Sequence, residues 1–326
     1  MENTEMFQQR IDLGSLKESI AKVKNEIGKV IVGQTKLVDL LLIALLADGH
    51  VLIEGVPGIA KTLSVKLISR AVSTGFSRIQ FTPDLMPSDI LGTSVFNLSK
   101  SSFEFNRGPI FSNFILVDEI NRAPAKTQSA LFEVMEERQV SIDGNTYIME
   151  KPFIVFATQN PLEHEGTYRL PEAQLDRFMF KINIGYPDIA EEITILKKSH
   201  ERKGKPETEE IQPVLDPAAL VGYQNIVKQV HIEENLQKYI AELVNRTRNN
   251  PSLYLGGSPR ASLYLMTASK AFAAIQGRDF VTPDDIRFLL NPVLNHRLQL
   301  TPEKEMEGYS TDDVIVEISK NVEVPR

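Results

Sequence analysis

Two short stretches carry the residue types most able to do chemistry. One is HVLIEGVPGIAKT, residues 50–62, in which an apolar run leads through a Gly-rich turn to Lys61 and Thr62. The other is FILVDE, residues 114–119, in which four apolar residues end at Asp118 and Glu119. In the first, the octet Gly55-Val56-Pro57-Gly58-Ile59-Ala60-Lys61-Thr62 separates a strand pattern from a helix pattern. Glycines let successive backbone N–H groups curl toward one anion, and a helix N-terminus adds its dipole. Lys61 would then neutralise phosphate charge and Thr62 would offer a hydroxyl to Mg2+. Ala60 stands where such loops usually have glycine. Gly55 and Gly58 are the positions expected to need unusual backbone angles, whereas residue 60 is expected at the helix start with negative φ, where alanine is well suited. A plain Gly-rich turn between strand and helix is the competing reading.

A buried strand that ends in adjacent carboxylates is costly unless they have partners or work. Asp118 would hold Mg2+ through its water shell, and Glu119 would polarise an attacking water as general base. The bland counterpart is a pair of solvated acids. Asn160 closes FIVFATQN just before Pro161. It is either a turn residue or an amide that orients the lytic water or contacts the terminal phosphate, because parallel strands deliver ligand residues at their C-terminal ends.

The elements that must carry these residues alternate in type. Short β-branched runs, VLIE, RIQF, FILVDE, FIVFATQN and MFKINI, alternate with the helix patterns KTLSVKLISRAV, KTQSALFEVMEER and PEAQLDRF. That is the signature of an α/β fold with a five-stranded parallel sheet covered on both faces. Two β-hairpin insertions interrupt it, at 93–107 and at 139–150, the latter around Asp143-Gly144. Upstream, residues 15–49 read as helix broken at Ile31-Val32-Gly33-Gln34. Beyond Tyr186-Pro187-Asp188 the strand signal fades, so the expected domains are 1–188, nucleotide-binding, and 189–326, all-helical.

The 326 residues suit two domains and a sizeable core, with 42% hydrophobic and 24% charged residues. Cysteine is absent, which excludes disulfides, thiolate metal sites and a Cys nucleophile. His50, His164, His200, His231 and His296 include no ligand-spaced pair, so a histidine zinc site has little support. Net charge is −7 with no basic block, which weighs against non-specific nucleic-acid binding. The N-terminus has no signal-peptide pattern, and the longest apolar run, LLLIALLA, is far short of the ~20 residues a membrane helix needs. These features predict a cytoplasmic protein.

Three longer stretches, TPDLMPSDILG (82–92), GPIFSNFILVDEINRAPAKTQSALFEVMEERQVSIDG (108–144) and PFIVFATQNPLEHEGTYRLPEAQLDRF (152–178), resemble the AAA+ ATPases and, within them, the MoxR family. The likeness runs from about Ile31 to the C-terminus. The two hairpins fit the insertions of a clade that includes the magnesium chelatase ATPase subunit and the MCM helicases. The resemblance implies a P-loop core with a C-terminal all-α lid, and ATP and Mg2+ as cofactors. Ile31, Val32, Gly33 and Gln34 would lie against adenine, or else form a helix-breaking turn. Arg177 would be the arginine finger reaching a neighbouring subunit's γ-phosphate, its plainer counterpart being local pairing with Glu172 or Asp176; Arg122 is the second candidate for a subunit-crossing arginine. Arg260 looks like the lid's sensor arginine, fixed by Ser258 as N-cap and Pro259 as first helical residue, and serving its own or a neighbouring site.

What the resemblance implies for function is a ring, a hexamer, that remodels, assembles or loads a cofactor into a client protein alongside a separate von Willebrand factor A domain protein. A nucleic-acid motor is the first alternative, yet QVSIDGNTYIME has no Lys or Arg, and the other hairpin offers only Lys100 and Arg107 beside Glu104. A non-hydrolysing nucleotide-binding scaffold is the second.

Overall fold

The computed structural model describes residues 11–56, 58–161 and 168–325. Chain order runs α1 (Gly14–Val30), α2 (Thr35–Leu46), β1 (Val51–Gly55), α3 (Lys61–Ala71), β2 (Phe76–Gln80) and α4 (Pro87–Leu91), then into a hairpin of β3 (Gly92–Asn97) and β4 (Ser102–Arg107). Next come β5 (Phe114–Asp118), α5 (Ala125–Glu137), a second hairpin of β6 (Gln139–Ile142) and β7 (Asn145–Ile148), β8 (Ile154–Gln159), α6 (Glu172–Leu175) and β9 (Phe180–Ile184). The remainder is α7 (Ile189–Arg202), α8 (Pro217–Gln229), α9 (Glu234–Arg248), β10 (Leu253–Leu255), α10 (Pro259–Gln276), α11 (Pro283–Leu294), β11 (Gln299–Leu300), α12 (Pro302–Met306) and α13 (Thr311–Asn321). The helical region thus contains one small antiparallel pair, β10 with β11, where only helices were expected.

The central sheet is parallel throughout, in the order β2-β5-β8-β1-β9. β5 is buried at every position because strands flank it on both sides and helices cover both faces. Its side chains alternate between two cores. Phe114 and Leu116 enter one apolar cluster, and Ile115 and Val117 enter the other. The order matters for function: β8 lies between β5 and β1, so the C-terminal ends of all three strands meet.

α1 turns Leu16, Ile20, Val23 and Ile27 inward at helical spacing. α2 is buried almost all round because it lies between β9 and the helices α8 and α10. The larger core therefore runs without a break from Leu13 to Val322, joining sheet and helical region. α7 opens with a capping box: the Asp188 carboxylate accepts the Glu191 N–H at 2.8 Å, and the Glu191 carboxylate accepts the Asp188 N–H at 3.0 Å. α6 is shorter than PEAQLDRF suggests and stops before Asp176, whose side chain and carbonyl are taken by the helical region. Among the described residues no helix is long and apolar enough to cross a membrane.

His50, just ahead of β1, is buried. Its Nδ1 accepts the Val155 N–H at 2.9 Å, and its Nε2 faces the Met135 carbonyl at 3.2 Å. Burial, with the nearby Arg138 charge, depresses its pKa to about 3. The imidazole is neutral when folded, and the unfolded chain binds the extra proton below its ordinary pKa of about 6.5. Stability is therefore intact above that value and declines as pH falls from there toward 3, by up to about 1.4 kcal/mol per pH unit. In denaturant unfolding between pH 6 and pH 4, His50→Gln should show a pH slope smaller by about one proton than the parent chain. An unchanged slope would remove His50 as the source.

Candidate nucleotide site

The turn after β1 is shaped by three residues for three reasons. Gly55 is needed for space, because a Cβ there would come within 2.8 Å of the Ile184 carbonyl on β9 and 2.4 Å of Ile59 Cδ1. This differs from the angular reason expected for it. Gly58 has φ +84°, as expected. Ala60 overturns the expectation of a helical angle, with φ 63° and ψ 19° in the left-handed region. An L-residue there costs about 1–2 kcal/mol. The Ala60 carbonyl recovers part of that by accepting both the N–H and the hydroxyl of Ser64, each at 2.9 Å. Pro57 lies outside the described residues.

Lys61 opens α3, and its Nζ donates to the carbonyls of Gly55 at 2.5 Å and Gln159 at 3.3 Å, bridging the ends of β1 and β8. One residue on, Thr62 Oγ1 donates to Asp118 Oδ1 at 3.2 Å. Asp118 is 5% exposed and collects two further partners: Arg78 Nε at 2.6 Å and the Thr158 hydroxyl at 3.1 Å. One hydroxyl and one carboxylate make a sparse donor set. That suits Mg2+, which keeps several waters and completes its shell from phosphate. Among the described residues no group of three His, Asp or Glu side chains gathers that could hold a metal ion by itself, and His164 lies outside them.

Glu119 follows with φ 57° and ψ 53°, a second left-handed residue at the rim of the site. Its N–H donates to Thr158 Oγ1 at 3.0 Å. Its carboxylate accepts Gln80 Nε2 at 2.8 Å and pairs with Arg122 Nε at 3.0 Å. Arg122, second candidate for an arginine reaching another subunit, therefore engages its own chain's Glu119. Asn160 is buried one residue past β8, at the strand end between β5 and β1.

A cavity of about 450 Å3 opens beside the turn. Gly58 to Thr62 form one wall, Ile31, Val32 and Gln34 another, and Ile195 and Arg202 of α7 contribute a third. Its size and mixed lining suit a nucleotide, with apolar surface for a base and backbone N–H groups with Lys61 for phosphates. Gly33 lines an adjoining depression rather than this cavity. It has φ +81°, and a Cβ there would lie 2.2 Å from a Glu191 carboxylate oxygen, so its glycine identity serves the contact with α7. Val56 packs against the main core.

Arg177 and Arg260 are absent from that lining and sit together on Glu136. Arg177 Nε lies 3.3 Å from one Glu136 oxygen and Arg260 Nη2 lies 2.6 Å from the other. The local partners expected for Arg177, Glu172 and Asp176, are not the ones it takes. Ser258 occupies the N-cap position of α10 without capping it. Its hydroxyl instead donates to both Asp176 oxygens at 2.9 Å. Sequence reasoning missed Gln80, Thr158, Arg78 and Glu136. A polar residue within the apolar run of β8 flags Thr158, and Gln80 closes β2; nothing local flags Glu136.

The left-handed Ala60 gives a direct test. Ala60→Val places a β-branched residue at that angle and should weaken ATP binding at least about tenfold, whereas Ala60→Gly should stay within about twofold. A fluorescent-nucleotide titration reads both. Equal affinity for Val and Ala at this position would mean that the loop binds nucleotide in another conformation.

Comparison with known proteins agrees with this geometry. Residues 50–180 match the model of "ATPase family associated with various cellular activities (AAA)", and residues 245–318 match an AAA lid domain. The chain is 46% identical to Chaperone MoxR1 of Mycobacterium tuberculosis over 92% of this chain and 81% of that one. It is 31% identical to Protein MoxR of Paracoccus denitrificans over 85% of this chain and 87% of that one. A crystal structure of a candidate ATPase from Cytophaga hutchinsonii superposes with TM-score 0.89 at 43% identity, over 96% of this chain and 97% of that one. With two MoxR relatives matched over most of their length, and sheet and lid both in place, the chain belongs to the MoxR family of AAA+ ATPases.

Proposed function

We propose that the chain hydrolyses ATP in a ring of its own copies, a hexamer, and uses the cycle to remodel, assemble or load a cofactor into a client protein in the cytoplasm. Residues up to 188 form the nucleotide-binding domain and residues 189–326 the lid. The observation that carries the reading is the meeting of Thr62 with Asp118 at 3.2 Å, with Lys61 at the start of α3 and Glu119 just past the end of β5 beside them. Lys61 and the N-terminus of α3 hold the β- and γ-phosphates. Thr62 and Asp118 hold Mg2+, which supplies charge neutralisation at the phosphates. Glu119 takes a proton from the attacking water once its carboxylate leaves Gln80 and Arg122, and Asn160 orients that water.

Arg177 and Arg260 stand away from the cavity of their own subunit, which supports their service at a neighbour's γ-phosphate. The protein client is favoured over nucleic acid by the first hairpin. Its exposed side chains include Phe96, Leu98 and Phe103, and Lys100 is paired with Glu104 at 2.6 Å. The name of the mycobacterial relative, a chaperone, points the same way. A separate von Willebrand factor A domain protein is the expected partner.

The test is steady-state ATPase rate against protein concentration. The rate per subunit should rise with concentration. Glu119→Gln should lose about 100-fold or more while still binding ATP, and Arg177→Ala should lose about 1,000-fold or more. ATP binding without turnover at any concentration would favour the scaffold reading. Full activity of Arg177→Ala would remove the interfacial site.

A further inference from the structure

The segment carrying Arg177 is shared between the two domains in an unusual way. Its N–H groups are satisfied from the sheet domain. Arg177 N–H donates to the Gln174 carbonyl at 3.2 Å, Phe178 N–H to Leu175 at 3.1 Å, and Met179 N–H to His50 at 2.8 Å. Its carbonyls are satisfied from the lid. Arg297 Nη2 donates to Asp176 O at 2.9 Å and to Phe178 O at 2.6 Å, and Tyr264 donates its hydroxyl to Arg177 O at 3.1 Å. Arg297 Nε also meets the Asp176 carboxylate at 2.7 Å, where the Ser258 hydroxyl joins it.

Arg297 is itself immobilised. Its side chain is 2% exposed, and its guanidinium lies over the Tyr264 ring at 5.1 Å. His296 Nε2 faces Arg297 Nη1 at 2.7 Å, and His296 Nδ1 faces Asn295 Oδ1 at 3.1 Å. A buried guanidinium spends its donors only where the geometry is fixed, because any left unmatched would cost several kcal/mol. Here Nε and Nη2 fall on the residues either side of Arg177, while Nη1 turns to the Val293 carbonyl and to His296.

We propose that Arg297, with Tyr264 and Ser258, is a positioning set for Arg177: the lid fixes the peptide from which that arginine reaches the adjoining subunit's nucleotide. The inference rests on the interfacial reading of Arg177 given above. A lid displacement alters the reach of Arg177, so lid position in one subunit sets turnover in the next.

Mixed assemblies test this. Wild-type chains are diluted into an excess of Glu119→Gln chains, whose own turnover, lower by about 100-fold or more, is measured alone and subtracted, but which still present Arg177. Turnover per wild-type chain is then compared with dilution into Glu119→Gln/Tyr264→Phe. Loss of one hydroxyl from the clamp should lower neighbour turnover about fivefold. The nucleotide Kd of the Tyr264→Phe chain and the assembly size by light scattering should not change, and its Tm should fall by no more than about 4 °C. Arg297→Lys, which keeps a cation on Asp176 but cannot serve the carbonyls on both sides, should lower neighbour turnover further. Equal neighbour turnover with and without Tyr264→Phe and Arg297→Lys overturns the positioning set. Dilution into Glu119→Gln/Arg177→Ala separates the two layers. If that mixture keeps full turnover, Arg177 does not act across the boundary and both readings fall. If it is inactive while the Tyr264 and Arg297 variants match their control, only the positioning set falls.

Discussion

The buried carboxylate of Asp118 is the constraint around which the rest is arranged. It ends a strand that is apolar at every other position, and an uncompensated charge there would cost several kcal/mol. Compensation comes from three separate elements: Arg78 on β2, Thr62 on α3 and Thr158 on β8. Each partner fixes the register of its own element against β5. The same hydroxyl of Thr158 accepts the Glu119 N–H, so neutralising Asp118 also orients the next residue. A site built this way is stiff before any ligand arrives, which is what positioning a phosphate and a metal requires.

Strain gathers at the two ends of that arrangement. Ala60 and Glu119 are both left-handed, one before Lys61 and one after Asp118. Such angles persist only where surrounding contacts over-determine them. For Ala60 these are the two bonds from Ser64; for Glu119 they are Thr158, Gln80 and Arg122. Glu119 is thus aimed by its backbone and held by its carboxylate, so the carboxylate can leave its partners without the chain having to refold.

Much of this was legible in the sequence because it is local. Apolar runs bounded by turn residues marked all five strands, Asp143-Gly144 marked a hairpin, and the octet 55–62 and the pair 118–119, read as one candidate site, come together where Thr62 meets Asp118. What was not legible depends on contacts between distant parts of the chain. Gly55 reads as a turn glycine, yet its constraint is the Ile184 carbonyl on a strand that follows much later. Ser258 reads as an N-cap, but Asp176 competes for its hydroxyl. Arg177 has acids within helical reach, yet it takes Glu136 because α6 ends before a second turn can form. Residue type and spacing announce the groups able to do chemistry; they are silent on the partners that aim them.

One device appears twice where sheet and helices are tied together. His50 lies close to Arg138, and His296 touches Arg297. In both cases burial and the adjacent guanidinium hold the imidazole pKa below its ordinary value, that of His296 well below. The ring then stays neutral and can accept a bond: from the Val155 N–H in one case, and from Arg297 in the other. A lysine or a protonated histidine could not accept there. At the lid joint the consequence is electrostatic. Arg297 and Arg260 already share Asp176, and a charged His296 would add a third cation around one carboxylate. Keeping that ring neutral lets a single acid hold Arg297 and Ser258 together against the segment that carries Arg177.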